Sequence, residues 1–240
     1  MIPKKIHYCW FGGKPLGKLE TKCVASWKKF CPDYEIIEWN EANFDVNAIK
    51  YTKQAYEAKK YAFVSDYARF DILYREGGIY LDTDVELIKP LDELLIHKVY
   101  MGFERPGLVN SGLGFGTEAG HELLQYICES YRARAFLKDD GSPDYTTVVQ
   151  IVSSTLYPKG LTDENTIQVI DGCTIFPMDY FQPIDQKTRK KYITQNTFSI
   201  HHYAASWYSK RHKFLKKIGK LMPPGLTRLG RKILGRDKSD

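Results

Sequence analysis

The stretch Ser65-Asp66-Tyr67-Ala68-Arg69-Phe70-Asp71-Ile72-Leu73-Tyr74-Arg75-Glu76-Gly77-Gly78-Ile79-Tyr80-Leu81-Asp82-Thr83-Asp84 decides the fold. Ser65 can cap a helix that runs to Glu76, and Gly77-Gly78 can end it. Tyr67, Phe70 and Tyr74 give that helix an apolar face. Ile79-Tyr80-Leu81 then enters a strand that runs into Asp82-Thr83-Asp84. Upstream, Lys4 to Phe11 reads as a short buried strand ending on the turn signal Gly12-Gly13. Leu16 to Phe30 has helical spacing, with Leu19, Cys23 and Trp27 four apart, and Cys31-Pro32-Asp33 stops it. Tyr34 to Trp39 reads as a second strand, and residues 47–63 as helical. Strand, helix, strand, helix, strand predicts an α/β fold: a mostly parallel central sheet flanked by helices on both faces. Ligands in such sheets sit at the carboxyl ends of the strands, where Asp82 and Asp84 lie.

Farther along, Tyr100 to Glu104 is strand-like, Asn110 to Gly116 is Gly-rich, and residues 119–134 and 145–156 are helical. Thr174 to Phe181 and Thr197 to His202 are again strand-like. No repeat and no linker interrupts residues 1–207, which read as one domain.

The chain has 240 residues, 27% of them charged and 14% aromatic, which excludes a disordered or fibrous protein. Its net charge of +6 is unevenly spread. Residues 208–240 hold eleven Lys/Arg against two Asp, so residues 1–207 carry a net −3. The basicity belongs to one segment, and a whole-protein argument for nucleic-acid binding fails. The five cysteines are scattered without a CxxC pair, and Met1 to Lys5 lacks the apolar stretch of a secretory signal. A reducing, cytoplasmic setting is the expectation.

Four segments carry candidate chemistry. Asp82 and Asp84, two apart, project to one side if the strand continues, and make a hard oxygen site suited to Mn²⁺ or Mg²⁺. Such an ion can neutralise a diphosphate. By itself the triplet is also a common solvated turn. Asp66 and Arg69 share a helix face. They are either a surface ion pair of little worth or a site for sugar and phosphate oxygens. His201-His202-Tyr203-Ala204-Ala205-Ser206-Trp207 holds imidazoles that could ligate Mn²⁺, or two surface histidines beside a core tryptophan. His7-Tyr8-Cys9-Trp10-Phe11-Gly12-Gly13 is an aromatic strand whose rings either stack on a nucleobase or pack the core.

As a set, these segments resemble glycosyltransferase family 32, the DxD-containing sugar transferases that include Golgi α-mannosyltransferases and bacterial capsule and lipopolysaccharide enzymes. The family is related to the glucosylating domains of large bacterial toxins. The resemblance rests on Ile2 to Gly12, Ser65 to Arg69, Gly77 to Asp84, and His201-His202 followed by Ser206-Trp207, in the family's order, and spans about residues 2–207. It implies a GT-A fold, a nucleotide-sugar donor, a divalent metal and retention of anomeric configuration. By motif match, Asp84 would bind the metal directly, and Asp82 would touch ribose or sugar and hold metal-bound water. Asp66 and Arg69 would hold the donor sugar, with Asn110 as a further polar contact. His202 would be the late metal ligand, with His201 as its rival. Ser206 and Trp207 would contact the diphosphate, and Trp10, with Tyr8 beside it, would lie by the base. Ala205 stands where family members often carry Gly. UDP-sugars are the favoured donors and GDP-mannose the alternative; the acceptor would be a glycan, lipid-linked by expectation.

Two rival readings use the same residues differently. Leu81-Asp82-Thr83-Asp84-Val85 also fits the nucleophile motif of haloacid-dehalogenase phosphatases, with Asp82 attacking, Asp84 as acid and Asp139-Asp140 as later ligands. Against this, the motif sits some 80 residues into the chain. Alternatively, the basic segment 208–240 acts as a non-catalytic binder. There Phe214, Ile218 and Leu221, then Leu226, Leu229, Ile233 and Leu234, form apolar stripes among cations, joined by Pro223-Pro224-Gly225. Two short amphipathic helices of this kind suit an anionic membrane face. The combined expectation is a catalytic body, 1–207, held peripherally at the inner face of the plasma membrane by the tail.

Overall fold

The first strand, β1 (Lys5–Cys9), is buried almost throughout and lies parallel to β2 (Glu35–Trp39), with Ile6 opposite Ile36. Between them runs α1 (Lys18–Phe30), which buries Cys23 and Trp27 as its spacing predicts. After α2 (Lys50–Glu57) comes α3 (Tyr61–Glu76), then β3 (Gly78–Tyr80) on the other side of β1. The computed structural model describes residues 1–185, 188 and 190–204. Ser206, Trp207 and the tail 208–240 lie outside them, as do the readings attached to those residues. Met1–Tyr203 form one compact unit.

The helix α3 begins at Tyr61, one turn before the expected cap. Ser65 lies inside it, and its hydroxyl donates back to the Tyr61 carbonyl (3.1 Å). Packing overrides the cap signal: Phe63 and Val64 are buried with Tyr67 and Phe70, which draws the preceding turn into the helix. The stop signal holds. Gly77 (φ +64) caps the helix, and its N–H donates to the Leu73 carbonyl. Gly78 (φ +101) must also be glycine, because a Cβ there would sit 2.8 Å from His7 Nε2 and 3.0 Å from the Lys5 carbonyl.

The rest of the chain completes the sheet. It comprises β4 (Val85–Leu87), β5 (Val99–Arg105), β6 (Leu108–Asn110), β7 (Phe115–Thr117), α4 (Glu122–Arg132) and α5 (Val148–Leu156). Then follow β8 (Gln168–Ile170), β9 (Cys173–Phe176), α6 (Met178–Phe181) and β10 (Ser199–His201). The eight-stranded sheet has the order β2-β1-β3-β7-β5-β9-β8, with β6 paired to β5. Strands β2, β1, β3, β5 and β9 point one way, and β6, β7 and β8 point back, so the sheet is mostly parallel, as expected. Along β3 the side chains alternate between two cores: Tyr80 joins the cluster of α2 to α5, and Ile79 and Leu81 join that of α1 and α6.

The Gly-rich run after Asn110 ends in β7, a fully buried strand between β3 and β5. There Gly116 leaves room for the Tyr100 ring, so its glycine marks a close approach. The single strand expected over Thr174 to Phe181 is β9 followed by α6, because Pro177 stands at the helix N-cap. A separate antiparallel pair, β4 with β10, sets Val85 opposite His201. It is braced by α1, where Trp27 Nε1 donates to the Val85 carbonyl (2.7 Å). Among the described residues, no helix is long and apolar enough to cross a membrane.

Candidate active site

The strand that delivers the paired carboxylates stops at Tyr80. Leu81 to Asp84 form a turn in which the Val85 N–H donates to the Asp82 carbonyl (2.9 Å). Asp82 and Asp84 therefore converge through a turn, and the expected strand alternation plays no part. The remaining partner comes from β10. His201 Nε2 lies 3.0 Å from Asp84 Oδ1, and ligand atoms of Asp82, Asp84 and His201 all lie within 4.8 Å of one another. His202 does not join them. Its ring meets Glu86 (2.8 Å), which Lys22 also pairs with, and its backbone N–H donates to the Asp84 carbonyl. Consecutive residues leaving a strand face opposite ways, and His201 is the one turned inward. Of the two candidate histidines, His201, the rival, is the one beside Asp84.

Arg69 links the helix to the turn. Its Nη2 lies 2.9 Å from Asp66 and 3.2 Å from Asp82, and its Nε donates to the Ser65 carbonyl. The guanidinium stacks over the Tyr80 ring at 4.7 Å. Only 4% of the side chain is exposed, so this is no surface ion pair. Its Nη1 is buried without a hydrogen-bond partner among the described residues. Burial pushes the Asp66 carboxyl up to about 7, against the pull of Arg69. Burial likewise raises Asp82, with Arg69 opposing. For His201, burial disfavours the imidazolium, but Asp84 and Asp82 outweigh it and the net shift is upward.

Asn110 stands beside this cluster. Its Oδ1 accepts from the Gly112 N–H (2.7 Å), its Nδ2 donates to Glu104 (2.7 Å), and a Cβ on Gly112 would collide with Asp82 Oδ2. Glu104 and Gly112 were not singled out by sequence. The only signals were the end of a strand-like run and a glycine two residues after an asparagine. Trp10 is half-buried at the carboxyl end of β1, and its Nε1 donates to the Lys14 carbonyl. Tyr8 lies in the core: it is 6% exposed, packs edge-on against Trp27 and donates its hydroxyl to Glu38 (2.7 Å). Asp139 and Asp140 are exposed and lie outside the Asp82–Asp84–His201 group. A cavity of about 670 Å³, lined by residues including His121, Tyr126, Lys159 and Asp171, contains none of the cluster.

The donor set fits a divalent cation. Among the described residues, Asp82, Asp84 and His201 bring three potential ligand atoms within 4.8 Å of one another. Two carboxylates and an imidazole suit Mn²⁺ and, less selectively, Mg²⁺.

Residues 17–101, which include α3, β3 and the Asp82-Thr83-Asp84 turn, match the family described as the glycosyltransferase sugar-binding region containing the DXD motif. An inositol phosphoceramide mannosyltransferase of Schizosaccharomyces pombe is 31% identical over 144 residues, covering 56% of this chain and 38% of that relative. The chain thus aligns with well under half of the yeast protein's length. An uncharacterised glycosyltransferase of Acanthamoeba polyphaga mimivirus is 23% identical over 86% of this chain and 84% of its own. The solved PaToxG glycosyltransferase aligns with a TM-score of 0.48 at 17% identity, over 66% of this chain and 70% of its own.

Proposed function

We propose that this protein is a metal-dependent, retaining glycosyltransferase that moves a hexose or N-acetylhexosamine from a nucleotide sugar to a glycan acceptor. The observation that carries this reading is the convergence of Arg69, Asp82, Asp84 and His201, contributed by α3, the turn after β3 and the distant β10. Asp84 and His201 would hold the metal, with Asp82 contributing through water or by contacting ribose. When bound, a divalent ion supplies positive charge against the departing diphosphate. Arg69 adds a fixed cation whose unpartnered Nη1 offers an N–H to a sugar or phosphate oxygen. Asp66 accepts from a sugar hydroxyl, Asn110 makes a further polar contact, and Trp10 lines the base. Retention follows from front-face displacement, in which the leaving phosphate takes the acceptor's proton. Trapping a glycosyl-enzyme adduct would overturn that step.

UDP-sugars remain the favoured donors, and the mannosyltransferase relatives keep GDP-mannose in the panel. The proposed acceptor is a lipid-linked glycan of a cell-surface polysaccharide, and residues 208–240 are proposed to hold the body against an anionic, cytoplasm-facing membrane. The deciding experiment is a panel of UDP- and GDP-sugars assayed for Mn²⁺-dependent hydrolysis. Turnover of one donor, lost in EDTA, is expected; no turnover of any donor would refute the reading.

A further inference from the structure

The hairpin β5–β6 is irregular at one point. Gly102 pairs with Asn110, Phe103 with Val109, and Arg105 with Leu108, so the ladder register skips Glu104. Such a bulge re-aims its extra residue, a recurrent device beside active sites. Here the carboxylate, 13% exposed, accepts from Asn110 Nδ2 at 2.7 Å. The other end of the same amide is also engaged: Oδ1 accepts from the Gly112 N–H at 2.7 Å.

These two bonds decide which way the Asn110 amide points. An amide presents an acceptor at one end and two donors at the other. The Gly112 N–H requires the oxygen on its side, and the Glu104 carboxylate requires the nitrogen on the other. With Glu104 alone removed, one Nδ2–H loses its acceptor in a group that is 6% exposed. The loop behind the amide presses on the first carboxylate of the turn. The Asp82 N–H donates to the Gly112 carbonyl (3.3 Å), and any side chain on Gly112 would strike Asp82 Oδ2.

We infer that Glu104 is a positioning residue: it fixes the Asn110 amide, and through the Asn110–Gly112 loop the Asp82 carboxylate, in the orientation the reaction uses. Asn110 then meets the bound donor with its remaining Nδ2–H. The functional half of this inference rests on the transferase reading; the orientation of the amide does not.

The test compares Glu104→Leu, which removes the acceptor, with Glu104→Gln, whose Oε1 can still accept from Asn110 Nδ2. In ¹⁵N-labelled protein, the Asn110 side-chain amide is identified by its loss in Asn110→Asp. Its resonance should stay in place in Glu104→Gln. In Glu104→Leu it should move toward the free-amide position and exchange faster. Turnover of the donor found above should fall about tenfold or more in kcat for Glu104→Leu. It should fall far less for Glu104→Gln, with the affinity for Mn²⁺ plus UDP or GDP little changed in either. If the Leu variant does not fold, Glu104→Ser removes the acceptor without burying an apolar group and is read in the same way. An unmoved Asn110 amide in the acceptor-deleted variant, or an equal kcat loss in Gln and Leu, would overturn the inference. If the wild type hydrolyses no nucleotide sugar, the transferase reading falls, and the amide resonance still decides whether Glu104 sets Asn110.

Discussion

The site has two halves that differ in how they are built. One half, Asp66, Arg69, Asp82 and Asp84, comes from a single run of chain, held by a helix, a glycine stop and a three-residue strand. The other half, Glu104, Asn110 and His201, comes from a bulged hairpin and a short strand more than a hundred residues beyond the turn. The first half is rigid because its charge is buried on itself: Arg69 serves Asp66, Asp82 and the Tyr80 ring together. The second is held by backbone pairing and by side-chain bonds such as those of Asn110 to Glu104 and Gly112. Local sequence specifies the first, and long-range pairing places the second.

The largest effect should come from cutting the first half at its centre. Arg69→Ala leaves two partly buried carboxylates without their buried cation. A loss of about 3–5 kcal/mol in stability is expected from denaturant titration, together with loss of turnover. Arg69→Lys cannot reproduce the forked contacts, and should lose turnover and some stability. The surface-pair reading allowed no such cost, because it did not foresee the burial. A silent Lys variant would show that the half-site is not organised around this guanidinium.

Next is Asp84→Asn, which keeps shape and removes charge at the join of the two halves. Turnover should fall by at least about a hundredfold while the melting temperature holds or rises. Full activity of the variant, or of the wild type in EDTA, would remove the metal from the site.

The second half is probed by exchanging its histidines. His201→Ala should weaken Mn²⁺ binding by about ten- to a hundredfold, measured by electron paramagnetic resonance of free Mn²⁺. His202→Ala loses only a ring contact to Glu86 and should change it little. The opposite ranking would mean that the chain rearranges around the metal and that β10 is out of register with the bound state.

The last effect is on stability alone and concerns acid. Asp66 has its folded pKa raised from 3.8 to about 7, so between these values the folded protein holds a proton that the unfolded chain has lost. Its contribution to stability should therefore fall as pH rises from about 4 to 7, at up to about 1.4 kcal/mol per unit. Asp66→Asn should flatten that part of the pH–stability curve of metal-free protein. An unchanged slope would place the Asp66 carboxylate in a more solvated setting than its 13% exposure implies.

Much of the first half was legible because its signals are local. A Gly-Gly pair ends a helix, an apolar triplet follows, and two carboxylates come next; each step depends on neighbours within a turn or two. Even there, the helix start was misplaced by one turn, since the packing of Phe63 and Val64 outweighs the capping preference of Ser65. The reversed strand β7 is not legible for a similar reason: the need for glycine at 116 shows only once the ring that needs the space, Tyr100, is known to lie across it.

Alone, the amino-acid sequence determined the strand–helix–strand frame, the carboxylate pair at its edge and the presence of a late histidine pair. It could do so because periodicity, glycine and charge act over a few residues. Only the tertiary structure decided which histidine turns toward Asp84, that Arg69 is shared between Asp66 and Asp82, and that Tyr8 belongs to the core. The same holds for the bulge that aims Glu104 at Asn110. Those outcomes depend on strand register and on which groups lose water together. Both arise between segments far apart in the chain, where no local pattern carries the information.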